Sequence, residues 1–484
     1  MAKKSIAKNY AYNLIYQVLT LILPLITTPY TARVLGAEKI GIYGYTNTNV
    51  SYFILFGSLG VALYGQREIA YARENIEKRM KTFVEIVSFR FVTVFIASLI
   101  YFFAFMIQGE YKVYYSILFI ALAAVAFDIS WFFQGLEEFK KTVLRNIIVR
   151  LSSITLIFLL VKTPEDLTKF ILIYSLADFI GNLSLWLYLP KYFKGQKIKN
   201  LNLIKHILPI LLLFIPQIAN QVYNMLDKTM IGYIIPDKAE VGYYEQAQKV
   251  IRILITIVTS LGVVMIPRMA STFASGNKEK VNEYMKKSFN FVFFLSFPLI
   301  FGIISISKEF VPIFFGQGYD EVVTLINIIS PVVLLMGIAN VIGTQYLLPT
   351  KRQKEYTISV TAGLIINFFL NWLLISKWGA LGASIATVLS QLVVDLFQLK
   401  NIKNEIDLIS VFKTSIKYLF AGLIMFAFCL VVNLLNLVGW TAIIVKIIVG
   451  MMVYFGLLLI FKDEYIYAFI TKIFNIIKSK VKNK

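Results

Sequence analysis

The chain has 484 residues, 58% of them hydrophobic and only 15% charged, with a mean hydropathy of +0.72. A soluble domain carries about 25% charged residues, so the outside of this chain must face lipid, and a water-soluble enzyme is excluded at once. The net charge of +21 does not point to nucleic acid, because Lys and Arg stand in short clusters between apolar runs, the arrangement that orients membrane helices and meets anionic headgroups.

The start, with Lys3, Lys4 and Lys8, leads into a long apolar run without a small-residue cleavage site, which predicts a first spanning helix and not a signal peptide. A spanning helix needs about 20 mainly apolar residues. That ruler predicts an all-α, polytopic membrane protein of about fourteen transmembrane helices. The first six run Tyr10 to Leu35, Ile40 to Tyr64, Phe83 to Ile107, Val113 to Gly135, Val143 to Val161 and Leu167 to Leu189. The next six run Ile207 to Ile235, Val241 to Ile266, Phe289 to Ser307, Val322 to Tyr346, Ile358 to Ser376 and Ala380 to Leu399. Tyr418 to Leu434 and Thr441 to Phe461 complete the set. Basic residues concentrate in alternate loops, such as Arg67 to Lys81, Lys191 to Lys205 and Arg268 to Lys287, which predicts an even helix count with both termini cytoplasmic. The tail beyond Asp463 spaces Ile466, Phe469, Ile470, Ile473 and Ile477 at helical intervals, as a helix lying on the inner leaflet would.

Polar residues inside such segments are candidates for function. The first helix carries Asn13, Gln17, Thr20 and Thr27, and ends at Arg33. Asp128 lies deep in the fourth and is a candidate for ion coupling; Asp178 and Asp395 approach the cytoplasmic ends of the sixth and twelfth, where interfacial hydrogen bonding is expected. The seventh carries Gln217, Asn220, Gln221, Asn224, Asp227 and Lys228 at three- and four-residue intervals, one stripe of a helix. The eighth carries Glu245, Lys249 and Arg252, again on one face. Such stripes must face a partner helix or a cleft. The single cysteine, Cys429, and single histidine, His206, allow no intramolecular disulfide and no thiolate metal cluster, and His206 is expected to be structural. No P-loop or nucleophile elbow occurs, and no cofactor is expected.

The chain repeats itself. Glu38-Lys39-Ile40-Gly41-Ile42-Tyr43, Ser58-Leu59-Gly60 and Arg67-Glu68-Ile69-Ala70 are echoed by Ala239-Glu240-Val241-Gly242-Tyr243-Tyr244, Ser260-Leu261-Gly262 and Arg268-Met269-Ala270. An even number of helices separates the copies, so they are parallel, as in transporters built from two similar bundles around a cleft. The expected organisation is a six-helix bundle over 1–200, a pseudo-symmetric second over 201–400, and two further helices with the tail over 401–484.

Three stretches carry a resemblance: Pro29 to Gly36 with Tyr64 to Ala70; Asn224 to Gly232 with Val241 to Tyr244 and Ile266 to Arg268; and Trp378 to Thr387. Here the chain resembles the polysaccharide or oligosaccharide repeat-unit flippases, often called Wzx-type, of the multidrug/oligosaccharidyl-lipid/polysaccharide exporter superfamily. The resemblance implies a transporter of the bacterial plasma membrane that moves a polyprenyl-diphosphate-linked oligosaccharide to the outer leaflet. It also makes other polysaccharide-assembly membrane proteins candidate partners. Two uses of the stripes stay open. Lys228, Lys249, Arg252 and Arg33 supply positive charge to the diphosphate while Gln217 and Asn224 bind sugar hydroxyls, or Asp227 and Glu245 neutralise the lysines internally. Arg252 has no evident acidic partner and is the foremost candidate. A cation-coupled multidrug exporter of the same superfamily is the alternative; a glycan polymerase or ligase is set aside because no outer loop is large enough to form a catalytic domain.

Overall fold

The computed structural model describes residues 6–107, 109–192, 200–463 and 466–467, and among them every regular element is helical. Helices are what this composition demands, since backbone groups inside hydrocarbon must be paired within their own segment. The chain falls into two compact units, residues 1–245 and 246–484.

The first unit begins with α1 (Ile6–Ser58), α2 (Val61–Tyr71), α3 (Ile76–Tyr101), α4 (Lys112–Ala126) and α5 (Ser130–Gly135). It continues with α6 (Phe139–Leu160), α7 (Leu167–Trp186), α8 (Ile204–Ile234) and the opening turns of α9 (Ala239–Thr259). α1 is the axle, packing on α3, α4, α6 and α8. It is two helices in continuity, because Gly36 takes φ 75° and ψ 169° inside it, a conformation that glycine alone adopts cheaply. The expected boundary between the first two spans falls at that break. One aromatic core gathers Phe83, Trp131, Phe132 and Phe133, and another gathers Tyr101, Tyr115, Leu118 and Phe170. His206 is structural, as expected: its Nδ1 lies 2.7 Å from the Tyr64 hydroxyl and its Nε2 3.1 Å from Glu85, fastening the start of α8 to α2 and α3.

The second unit holds α10 (Gly262–Ala274), α11 (Lys278–Phe315), α12 (Asp320–Ile329), α13 (Val332–Ala339), α14 (Gln353–Ile402), α15 (Leu408–Val431) and α16 (Gly439–Ile460). A π-helical segment, Asn340–Leu347, follows α13. α11, α15 and α16 pack on one another, and Lys446 of α16 reaches Glu309 of α11 at 2.6 Å. α14 breaks at Gly379 into two helices that fold back on each other. Gln398 meets Ser359, Val394 meets Gly363 and Ser390 meets Asn367, the register of an antiparallel hairpin turning at that glycine. The sequence places the same break between its eleventh and twelfth spans.

Eleven helical stretches among the described residues are long and apolar enough to cross a bilayer. Two of them, Ile22–Tyr71 and Gln353–Ile402, have 50 residues each and contain the breaks at Gly36 and Gly379. Several expected single spans are interrupted. The fourth breaks over 127–129 between α4 and α5, the eighth between α9 and α10, and the tenth is α12, α13 and the π segment in succession. Large apolar side chains stand on the surface throughout, among them Phe95, Ile148, Leu159, Ile180, Phe369 and Met452. A water-facing protein avoids such patches; a lipid-facing one requires them. The tail helix expected beyond Asp463 lies largely outside the described residues.

The sequence repeat has a structural counterpart. Asn75 caps α3 by accepting from the Lys78 N–H at 2.8 Å, and Asn277 caps α11 by accepting from the Lys280 N–H at 3.0 Å. More tellingly, two copies of the repeat touch within the first unit. A Cβ on Gly41 would stand 1.6 Å from the Lys238 carbonyl oxygen, and one on Gly242 would stand 2.1 Å from that of Ala37. Ala37 is to Gly41 as Lys238 is to Gly242, so the contact is reciprocal, backbone against backbone.

Candidate functional site: the polar faces of the membrane helices

The end of α8 and the start of α9 bring together residues that the sequence marks. Lys228 Nζ lies 3.4 Å from Glu245 Oε2, with the two side chains 24% and 14% exposed. Glu245 packs over Gly44 of α1, where a Cβ would come within 2.6 Å of its Oε2. Asp227 is buried and accepts a hydrogen bond from the buried Tyr244 hydroxyl. Thr229 Oγ1 lies 3.2 Å from the Tyr52 hydroxyl, which ties α8 to α1. Internal neutralisation is therefore realised for Lys228 through Glu245, while Asp227 is held by a tyrosine. Tyr52 was not singled out in the sequence, and Tyr244 only as part of the repeat and resemblance motifs; an aromatic hydroxyl at hydrocarbon depth that must find a partner was the available signal.

The other marked residues are less drawn together. Arg33 is exposed near the end of the first segment of α1, and the Asn224 side-chain amide donates to the Asn220 carbonyl at 2.7 Å. Lys249 is half-buried on α9 in the second unit. Arg252 is exposed there, and among the described residues its guanidinium makes no ion pair or hydrogen bond. The side chains of Gln217, Asn13 and Gln17 lie outside the described residues.

Asp128 occupies the break between α4 and α5. Its Oδ2 lies 3.8 Å from Arg90 of α3 and its Oδ1 4.0 Å from Arg145 of α6. The carboxylate also accepts from the Ser130 N–H at 2.9 Å, while its own carbonyl accepts from Arg90 and from the Trp131 indole. Arg145 donates in turn to Asn182 of α7. Two guanidiniums flank one carboxylate, and the arrangement joins four helices where backbone pairing is interrupted. Among the described residues no three His, Cys, Asp or Glu side chains form a cluster suited to a metal ion.

A second polar face, of which the sequence candidates held only Asp395, runs along the α14 hairpin. Ser384, Thr387, Gln391, Asp395 and Gln398 on one arm, and Ser359, Asn367 and Asn371 on the other, are all buried. Their three- and four-residue spacing was readable by the rule that found the α8 stripe; apart from Asp395, their lack of charge kept them out of view.

Helices clad in apolar side chains, with polar faces turned inward, make a multi-pass membrane protein, and the relatives below make it a transporter, not an enzyme. The profile of the polysaccharide biosynthesis protein family matches residues 6–273, and the chain belongs to that family, in the Wzx-type branch of the multidrug/oligosaccharidyl-lipid/polysaccharide exporter superfamily. The MatE profile matches residues 213–373. A putative O-antigen transporter of Escherichia coli K12 is 26% identical over 408 residues, which is 83% of this chain and 98% of that protein. The lipid II flippase MurJ of Bacillus subtilis is 29% identical over 161 residues, 33% of this chain and 29% of that protein. Among solved structures, an inward closed conformation of the lipid II flippase MurJ superposes with a TM-score of 0.75 at 17% identity, covering 94% of this chain and all of that one. An inward-facing multidrug resistance transporter of the MATE family gives 0.62 at 11% identity, covering 79% and 95%. These two likenesses establish the fold.

Proposed function

We propose that this protein is a flippase carrying polyprenyl-diphosphate-linked oligosaccharide repeat units from the cytoplasmic to the outer leaflet, by alternating access between bundles 1–200 and 201–400. A charged diphosphate with sugars does not cross hydrocarbon unaided, so the protein must supply cationic and amide groups at membrane depth while the isoprenoid chain stays in apolar surroundings. The observation that carries this reading is kinship with the O-antigen transporter along nearly its whole length, in a chain whose Arg252 is a membrane-helix cation with no internal partner among the described residues. Lys249, Lys228 and Arg33 supplement that charge, with Glu245 and Asp227 orienting their neighbours and Asn224 and Gln217 meeting sugar hydroxyls. An apolar cavity of about 400 Å³ in the second unit, lined by Pro298, Leu299, Met425 and Met451, suits an isoprenoid chain. Fourteen spans are supported by the breaks at Gly36 and Gly379, which divide the two 50-residue stretches, and by the 31-residue α8; with that even count, the basic bias of alternate loops supports cytoplasmic termini.

The test is deletion of the gene and identification of the polyprenyl-diphosphate glycan that accumulates on the inner leaflet, with Arg252→Ala as the point variant. Accumulation of a defined glycan in both, at an unchanged protein level for the variant, is the expected result. Normal surface glycan in the deletion strain would overturn the reading. Drug export is the second reading, favoured by the MatE match over 213–373; it predicts that purified protein extrudes organic cations and that no glycan accumulates.

A further inference from the structure

We propose that Asp395 is a proton-binding site, loaded as the neutral acid inside the α14 hairpin and emptied when the hairpin and the neighbouring π segment admit water. The proposal rests on the transporter reading only for its use, not for its chemistry. Asp395 is 2% exposed and occupies the middle of the polar face of the second arm. Its Oδ1 accepts from the Gln391 amide at 3.3 Å. Among the described residues its Oδ2 has no hydrogen-bond partner and no ion pair reaches the residue. Two further buried acceptors in the same unit, Oε1 of Gln398 and Oε1 of Gln345, also lack a donor. The Gln398 amide itself donates to Ser359 at 3.1 Å, and that of Gln345 to Asn340 at 2.9 Å.

The surroundings leave little choice of protonation state. α12, α13 and the π segment pack on α14. The titratable or charged residues they bring are Asp320, Glu321 and Tyr346, and α13 brings none. α14 itself carries Lys354, Glu355, Tyr356, Lys377 and Lys400, and Arg352 just before it pairs with Glu355 and Glu405. None of these is bonded to Asp395. An ionised carboxylate here would be a buried charge without a partner, which is very costly at membrane depth. Protonation removes the charge and turns one carboxylate oxygen from an acceptor into an O–H donor. The step is simple: a proton from water joins one carboxylate oxygen, and no other bond changes. Asp128 differs in kind, because Arg90 and Arg145 already balance it.

The π-helical turn gives the site a way to open. π segments recur at functional positions because their hydrogen-bond ladder is locally loosened. Gly343, within this one, faces the Gln398 amide: a Cβ there would lie 3.1 Å from its nitrogen. A shift of this segment would bring water to Gln398, one turn along the face from Asp395. A transporter that alternates between two states would then take up and release one proton per cycle.

The test is infrared difference spectroscopy of the full chain in a phosphatidylcholine bilayer, titrated with pH and without glycan substrate. The expected result is a protonated carboxylic-acid carbonyl band at neutral pH that moves in heavy water, disappears on raising the pH and is absent from D395N. Gln391→Leu, which keeps the acid but removes its one neighbour, should move the band without abolishing it. Should D395N fail to fold, the wild-type titration and the Gln391→Leu shift decide. A band unchanged in D395N, or no acid band in the wild type, overturns the proposal. Loss of the band on adding sodium at constant pH also overturns it, in favour of a metal-cation site. Because no glycan is present, failure of the flippase reading leaves this result standing, and the reverse also holds.

Discussion

Two aspartates, Asp128 half-buried and Asp395 buried, show two ways of placing an acid among membrane helices. Asp128 sits at a helix break with guanidiniums from α3 and α6 on either side and a backbone N–H beneath. Asp395 sits inside an unbroken arm of a hairpin, with one amide and, among the described residues, no cation paired to it. The first is part of the scaffold: its charge is permanent and its partners hold four helices together. The second has no structural need of charge, and a group that gains nothing from being ionised is free to trade a proton. What separates them is the company each acid keeps. Depth alone does not.

Substitutions should break the scaffold acid and spare the other. Arg90→Leu is expected to have the largest effect, because it strands the Asp128 carboxylate with the more distant Arg145 and removes a donor to its carbonyl. Losing one member of a buried pair costs about 3–5 kcal/mol, read as a drop in Tm of the purified protein in detergent; an unchanged Tm would deny Asp128 its scaffold role. Glu245→Gln should cost less, about 1–3 kcal/mol, because Lys228 is partly exposed and is left with an amide. Exchanging the pair, Lys228→Glu with Glu245→Lys, should recover most of that Tm if the pairing is structural. Asp395→Asn should be milder still in Tm, below about 1 kcal/mol, since a neutral amide replaces a neutral acid. A Tm loss as large as that of Arg90→Leu would mean that Asp395 is ionised. Arg252→Ala should leave Tm unchanged altogether, and glycan accumulation is its only expected sign.

Much of the fold was legible because hydropathy and length fix spanning segments with few alternatives. Even the breaks at Gly36 and Gly379 were marked, by glycine beside small or charged residues between apolar runs. The kinks over 127–129 and in the tenth span were not, since a helix interrupted inside protein looks continuous to a hydropathy ruler. For the site, the possibility that Glu245 neutralises a lysine was readable from depth in adjacent helices, and Lys228 lies 3.4 Å from it. The Asp128 cluster was not readable, because Arg90 and Arg145 come from other helices and only packing unites them. The α14 face was missed for a different reason. Charge was the search signal, and seven of its eight residues carry only hydroxyls and amides.

The reciprocal seam between Gly41 and Gly242 has an evolutionary corollary. A contact in which each copy of a duplicated segment is the other's mould cannot be relaxed from one side, for any side chain at either glycine would collide with its twin's main chain. A substitution at one glycine is therefore tolerated only if the segment that carries the other moves away, so the pair is bound to change together or not at all.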